Sequence, residues 1–252
     1  MKTQNVLFNL AAIALSLLPA CIAASPESEW SPAADFAQDE VTGEASGEVT
    51  SSGLHGSLSS VSSGSVVDEA LAKQISENAS HDFWYFCGQS ATATAINFAR
   101  RTSPTDAAKV GQLQWFHDRL KARQSTYSLR DPAGPYAARI DWLYNLMLDE
   151  KASEFTASWL TTSNRETVKG RMMQALDSGA YVVALNQTDS GVGHYLTVYA
   201  IDYQPTVSGG GTVYYGDVLY NNLDAEHFTV FLDRMLAQSE RGLYNAFSVK
   251  KK

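Results

Sequence analysis

The sequence predicts an α+β fold in which helices come first and an antiparallel sheet follows. Two observations carry this. Up to about residue 176 the apolar residues recur at helical spacing, as at Val110, Leu113, Phe116 and Leu120 or Ile140, Leu143, Tyr144 and Met147. From Ala180 the period changes to that of strands, in Ala180–Leu185, His194–Ile201 and Thr212–Tyr215, separated by Gly-bearing loops. Runs of helices followed by runs of strands belong to folds whose elements are segregated rather than alternating.

Taken in order, Met1–Ala24 reads as an export signal. Lys2 is its positive start, and Val6–Leu18 is an apolar run too short to span a bilayer, which needs ~20 residues. Leu18-Pro19-Ala20-Cys21 resembles a bacterial lipoprotein signal, which would lipidate Cys21 and hold the protein at the outer surface or in the periplasm. Cleavage after Ala23 or Ala24 would instead release a secreted protein. Residues 25–65 read as an acidic Ser/Gly-rich linker, either a tether or a propeptide, and residues 66–252 as the folded domain. Val66–Asn78 has the spacing of a short amphipathic helix with Asp68 and Glu69 in its first turn. Cys87 to Arg101 reads as a helix of mostly small residues, stopped by Ser103-Pro104. Further helices are expected from Ser103 to about Arg123, over Tyr136–Leu148, and from a capping box at Ser163 and Glu166 to about Leu176. Phe155–Leu160 and Tyr244–Val249 read as strands, and Asp224 as the cap of a helix over about 225–237.

The net charge of −8 is uneven. Nine acids precede Lys73 with only Lys2 to offset them, whereas 18 bases meet 18 acids from Lys73 onward. A near-neutral body offers no basic surface for a phosphate backbone, which excludes nucleic acid as a partner. The two cysteines, Cys21 and Cys87, exclude a disulfide framework, because Cys21 lies in the export signal.

Cys87 is then the lone thiol of the body. At the first turn of a helix the dipole favours thiolate, the nucleophilic form. The bland alternative is a buried structural cysteine. A Cys nucleophile needs a base and a group to orient that base. Of five histidines, His55 lies in the linker, His117 inside a helix as a surface residue, and His227 in the first turn of a late helix. His194 opens an apolar strand, an odd place for a packing residue, though a solvent-exposed strand end is the alternative. If strands 194–201 and 212–217 pair across a loop centred near residue 206, position 194 falls opposite 217 or 218. Asp217 then sits beside His194 with Cβ atoms ~5 Å apart. Asp202 lies at the far end of the His194 strand, about 26 Å away. Asn221 and Asn222 are substitutes if the register slips.

Phe86-Cys87-Gly88-Gln89-Ser90-Ala91 heading a helix, Gly193-His194-Tyr195 opening a strand, and Asp217 before a loop resemble the papain-like cysteine peptidases, most of all their bacteriocin-processing-peptidase-like (C39-like) branch. The resemblance spans about Val66 to Val249. It implies a two-lobed fold with the Cys helix in one lobe and the sheet in the other. It also implies peptide-bond hydrolysis with Cys87 as nucleophile, His194 as general base and then acid, and Asp217 orienting the imidazole. The implied protein is a monomer acting on a peptide or protein substrate, needs no metal or organic cofactor, and meets a membrane only through its N-terminal anchor. Family members carry a Gln about six residues before the Cys to help hold the oxyanion. Here that place is His81, and Gln74 and Gln89 are the other candidates. Acyl transfer to an amine and a non-catalytic binding module on a degenerate peptidase fold are the rival functions.

Overall fold

The structure is a computed structural model, and it describes residues 52–75, 86–123, 139–188, 193–238 and 242–252. The expected export signal and lipidation site Cys21, most of the expected linker, His81 and the aromatics Phe83–Tyr85 lie outside the described residues.

Chain order is β1 (Gly53–Gly56), two 3-10 turns (Ser63–Ser65 and Glu69–Gln74), α1 (Cys87–Arg100), α2 (Asp106–Ala122), α3 (Ile140–Glu150) and β2 (Phe155–Trp159). Then come α4 (Arg165–Asp177), β3 (Tyr181–Gln187), β4 (Gly193–Tyr203), β5 (Gly211–Asp217), β6 (Asn222–His227), α5 (Phe228–Ala237) and β7 (Ala246–Lys251). The strands form one antiparallel sheet in the order β2-β7-β3-β4-β5-β6. β4 is long enough for β3 to pair with its first half while β1 pairs with its second half. The mixed α+β class is as expected, but the helices are not all N-terminal. The alternation of the strands divides the core between two faces. Tyr181 and Val183 pack with Phe98, Leu113 and Leu143 of α1–α3, while Val182 and Ala184 pack with Met172 of α4 and Phe231 of α5.

α1 is buried from Cys87 to Phe98. Its small side chains permit this, and its polar ones are used. Thr197 Oγ1 on β4 donates to the Ala91 carbonyl at 2.8 Å, and Asn97 and Gln112 exchange amide bonds with α2 at 3.2 and 2.7 Å. Arg101 ends the helix in the left-handed region at φ 56°, its N–H returning to the Asn97 and Phe98 carbonyls.

Several expectations are corrected. Part of the linker is folded: Gly53–Gly56 pairs with β4, and buried His55 bonds Asp177 through Nδ1 at 2.8 Å. The Val66–Asn78 helix is a 3-10 turn over Glu69–Gln74, with the Asp68 side chain capping the Ala70 N–H. α4 is capped by Asn164, which accepts from Thr167 N–H, rather than by Ser163. Asp224 does not cap a helix but lies in β6, and α5 begins only at Phe228. His117 is buried rather than exposed, its ring stacked on Phe86 at 6.0 Å.

Candidate functional site

Cys87 is the first residue of α1, and Phe86 before it supplies no side-chain cap to the N–H groups of that first turn. Gly88 lets this turn sit deep. A Cβ there would lie 2.8 Å from Leu143 Cδ1 and 3.3 Å from the Tyr195 ring. A larger residue there would have to displace Leu143 and crowd Tyr195, so glycine lets the start of α1 approach α3 and β4.

His194 stands one residue into β4, opposite Asn186 of β3. Asp217 ends β5. The register differs from the simple reading: Asp217 pairs with Leu196, because the two strands close with Tyr203 opposite Gly211, further along the chain than expected, and the bulge between Val198 and Ala200 then brings Asp217 one residue nearer His194. The bulge shows in the packing, where consecutive Tyr199 and Ala200 both join the α1 side of the core. Asp217 is therefore a diagonal neighbour of His194, still within reach of a long side chain. The contact forms, His194 Nε2 to Asp217 Oδ1 at 2.9 Å. The same Oδ1 accepts the Leu219 N–H at 2.9 Å, which fixes the carboxylate from its own loop.

An ionised carboxylate only accepts, so Nε2 donates and Nδ1 is the nitrogen left to face other groups. Cys87 Sγ, a ring nitrogen of His194 and a carboxylate oxygen of Glu69 lie within 4.8 Å of one another. Burial disfavours a charged ring, but the hydrogen bonds to Asp217 and Cys87 and the charges of both outweigh it. They lift His194 from 6.5 to about 10. The charged form of the ring is thus favoured over the neutral one.

The site is closed. Cys87 is 0%, His194 3% and Asp217 7% exposed. Glu69, 2% exposed, is the residue that sequence reasoning missed. It read as a favourable charge at a helix start, and nothing in its local sequence marks it as a neighbour of Cys87. Three contacts place it: Glu69 N–H to Val218 O at 3.1 Å, Val67 N–H to Thr94 Oγ1 at 2.9 Å, and Asn97 Nδ2 to Ser65 O at 3.1 Å. All three tie its segment to α1 or to the loop just after Asp217.

The other candidates fall differently. Gln74 is exposed at the end of its 3-10 turn. Gln89 is buried, and its Oε1 has no hydrogen-bond partner among the described residues. Asn221 and Asn222 are exposed, Asn222 opposite Asp217 on β6, and the His194 hydrogen bond goes to Asp217. His55 lies on the far half of β4 with Asp177, and exposed His227 precedes α5. Among the described residues no helix is long and apolar enough to cross a membrane. No protein-family model matches the chain, and no curated protein matches it.

Proposed function

We propose that this chain is a cysteine peptidase on a papain-like two-lobed body, in which Cys87 attacks the peptide carbonyl, His194 moves the proton and Asp217 orients the ring. One observation carries the reading. The buried imidazole of His194 is fixed by Asp217 through Nε2 and has the Cys87 sulfur within 4.8 Å of a ring nitrogen. In the reaction the thiolate adds to the carbonyl carbon, and the N–H groups at the start of α1 favour the oxyanion. The imidazolium protonates the leaving amine, leaving a thioester and a neutral ring. That ring then takes a proton from water, whose hydroxide displaces Cys87 and releases the acid. Export through the N-terminal signal, with a lipid anchor at Cys21, would place this activity outside the cytoplasm.

The test is covalent labelling of the mature protein with an electrophilic peptide. Labelling at Cys87, lost in Cys87→Ala, is the expected result. A folded protein that is not labelled refutes the reading. One observation favours a second reading, a non-catalytic binding module: the sulfur is fully buried beneath the rest of the fold. On that reading Cys87 reacts with iodoacetamide no faster than an ordinary thiol at any pH.

A further inference from the structure

Glu69 has no part in the peptidase chemistry above, yet its carboxylate is buried against the thiol and the imidazole. We propose that Cys87 Sγ, His194 Nδ1 and a Glu69 carboxylate oxygen form a binding site for a divalent transition-metal ion of the zinc class, which locks the nucleophile when bound. One donor atom from each residue, a His194 ring nitrogen among them, already lies within 4.8 Å of the other two, and all three residues are at least nine-tenths buried; Nε2 is taken by Asp217, which leaves Nδ1 for the metal. Thiolate, imidazole and carboxylate are the ligand types zinc takes, and three of them with a fourth place open for water is a familiar coordination. A metal-bound histidine commonly donates its other N–H to a carboxylate, and the His194 Nε2 bond to Asp217 Oδ1 at 2.9 Å has that form.

Charge argues in the same direction. Glu69 and Asp217 bring two carboxylates to the same buried site as the thiol. Burying several acidic groups together is costly, and a divalent cation offsets two negative charges. Position argues likewise, because the three hydrogen bonds of the Ser65–Glu69 segment hold Glu69 to the elements that carry Cys87 and Asp217. On binding, the metal–sulfur bond replaces the proton shared by Cys87 and His194, and that proton leaves to solvent.

The site itself stands on the geometry of the three ligands; that its occupation blocks catalysis rests on the peptidase reading. The experiment adds Co²⁺ to the reduced, chelator-treated full chain and follows the thiolate-to-cobalt charge-transfer band, with Cys87 labelling measured in parallel. The expected result is a saturable band at one equivalent, absent in Cys87→Ala. Affinity should fall at least on the order of tenfold in the isosteric Glu69→Gln, because even outer partners of metal ligands contribute that much. No band in the wild type, or unchanged affinity in a folded Glu69→Gln, overturns the proposal. A band in a protein that electrophiles never label supports the metal site and refutes the peptidase. Labelling by electrophile that saturating Co²⁺ leaves unchanged overturns the lock.

Discussion

Asp217 is the residue whose replacement tests the site most directly. Its Oδ1 accepts from both His194 Nε2 and the Leu219 N–H, each at 2.9 Å. In Asp217→Asn the amide oxygen can accept both, so the geometry survives and only the charge is lost. Hydrogen bonds to charged groups contribute ~1.5–3 kcal/mol and neutral ones ~0.5–1.5, a difference of about 1–1.5 kcal/mol. That is about tenfold in rate. In Asp217→Ala both donors lose their acceptor and nothing holds the ring. Loss of a positioned base costs ~10²–10⁴. The assay is the second-order rate constant for labelling Cys87 with an electrophilic peptide, with near-ultraviolet circular dichroism to confirm packing. The expected order is wild type, then Asn about tenfold slower, then Ala slower by at least a further tenfold. A folded Ala variant that labels at the wild-type rate, or an Asn variant slower than Ala, would refute the reasoning.

Three further outcomes follow from the coordinates. Gly56→Ala should lower Tm, because its Cβ would stand 2.4 Å from the Tyr199 carbonyl oxygen on a backbone with φ +85°; a cost of about 1–3 kcal/mol is expected, and unchanged thermal unfolding would mean that β1 is not part of the folded body. Thr94→Ala removes the acceptor of the buried Val67 N–H, so it should loosen the segment bearing Glu69. The expected result is a stability loss of about 1–3 kcal/mol by denaturant unfolding together with faster Cys87 labelling; slower labelling would contradict a closed site opened by that segment. The Glu154 carboxylate is held below its usual 4.5 by paired hydrogen bonds from Arg100 at 2.6 and 2.5 Å, against the opposing effect of burial. Its folded value is depressed, so its stabilisation is present above the unfolded value and fades as pH falls below about 4.5 towards the folded one. Both side chains are about one-third exposed, so the effect should not exceed ~1 kcal/mol. Tm of wild type and Glu154→Gln should differ at pH 7 and converge in acid; a constant gap would contradict the pairing.

What the sequence made legible was local. Apolar periodicity located α2, α3 and strands β2, β3, β4, β5 and β7, while a run of small residues ended at Ser103-Pro104 located α1 and a capping signal located α4. The His194–Asp217 contact was also accessible, because an antiparallel pair constrains which positions meet. The two-residue register difference did not separate them, since a diagonal pair on the same face can still touch. The difference comes from where the β4–β5 connection closes, with Tyr203 opposite Gly211, and the bulge at Tyr199, which reduces it by one residue, leaves no mark that alternation alone would reveal. β1 was missed for another reason. Gly-Leu-His-Gly has no alternation, and its strand conformation comes from pairing with a half of β4 that β3 leaves uncovered. β6 reads as a helix start because Asn222–His227 is an edge strand, half-buried at most and rich in acids. His117 was misplaced because Phe86, on which it stacks, comes from a distant part of the chain.

Glu69 shows why a site's inventory is harder to read than its central pair. Cys87 and His194 announce themselves by residue type and by position at the start of an element. Glu69 is one of nine acids in the first 72 residues, and only tertiary hydrogen bonds to Thr94, Asn97 and Val218 bring its segment against the sulfur. Those three bonds also bear on how the site works. Each contributes about 0.5–1.5 kcal/mol net, so lifting the segment costs a few kcal/mol if nothing replaces them. A two-state element with a gap of that size spends on the order of 0.1–10% of its time open. Any reaction at Cys87 would be slowed by the same fraction, because apparent affinity scales with the competent population. The closed sulfur is therefore compatible with a slow or gated nucleophile, and the rate of labelling, more than its mere occurrence, measures how often the site opens.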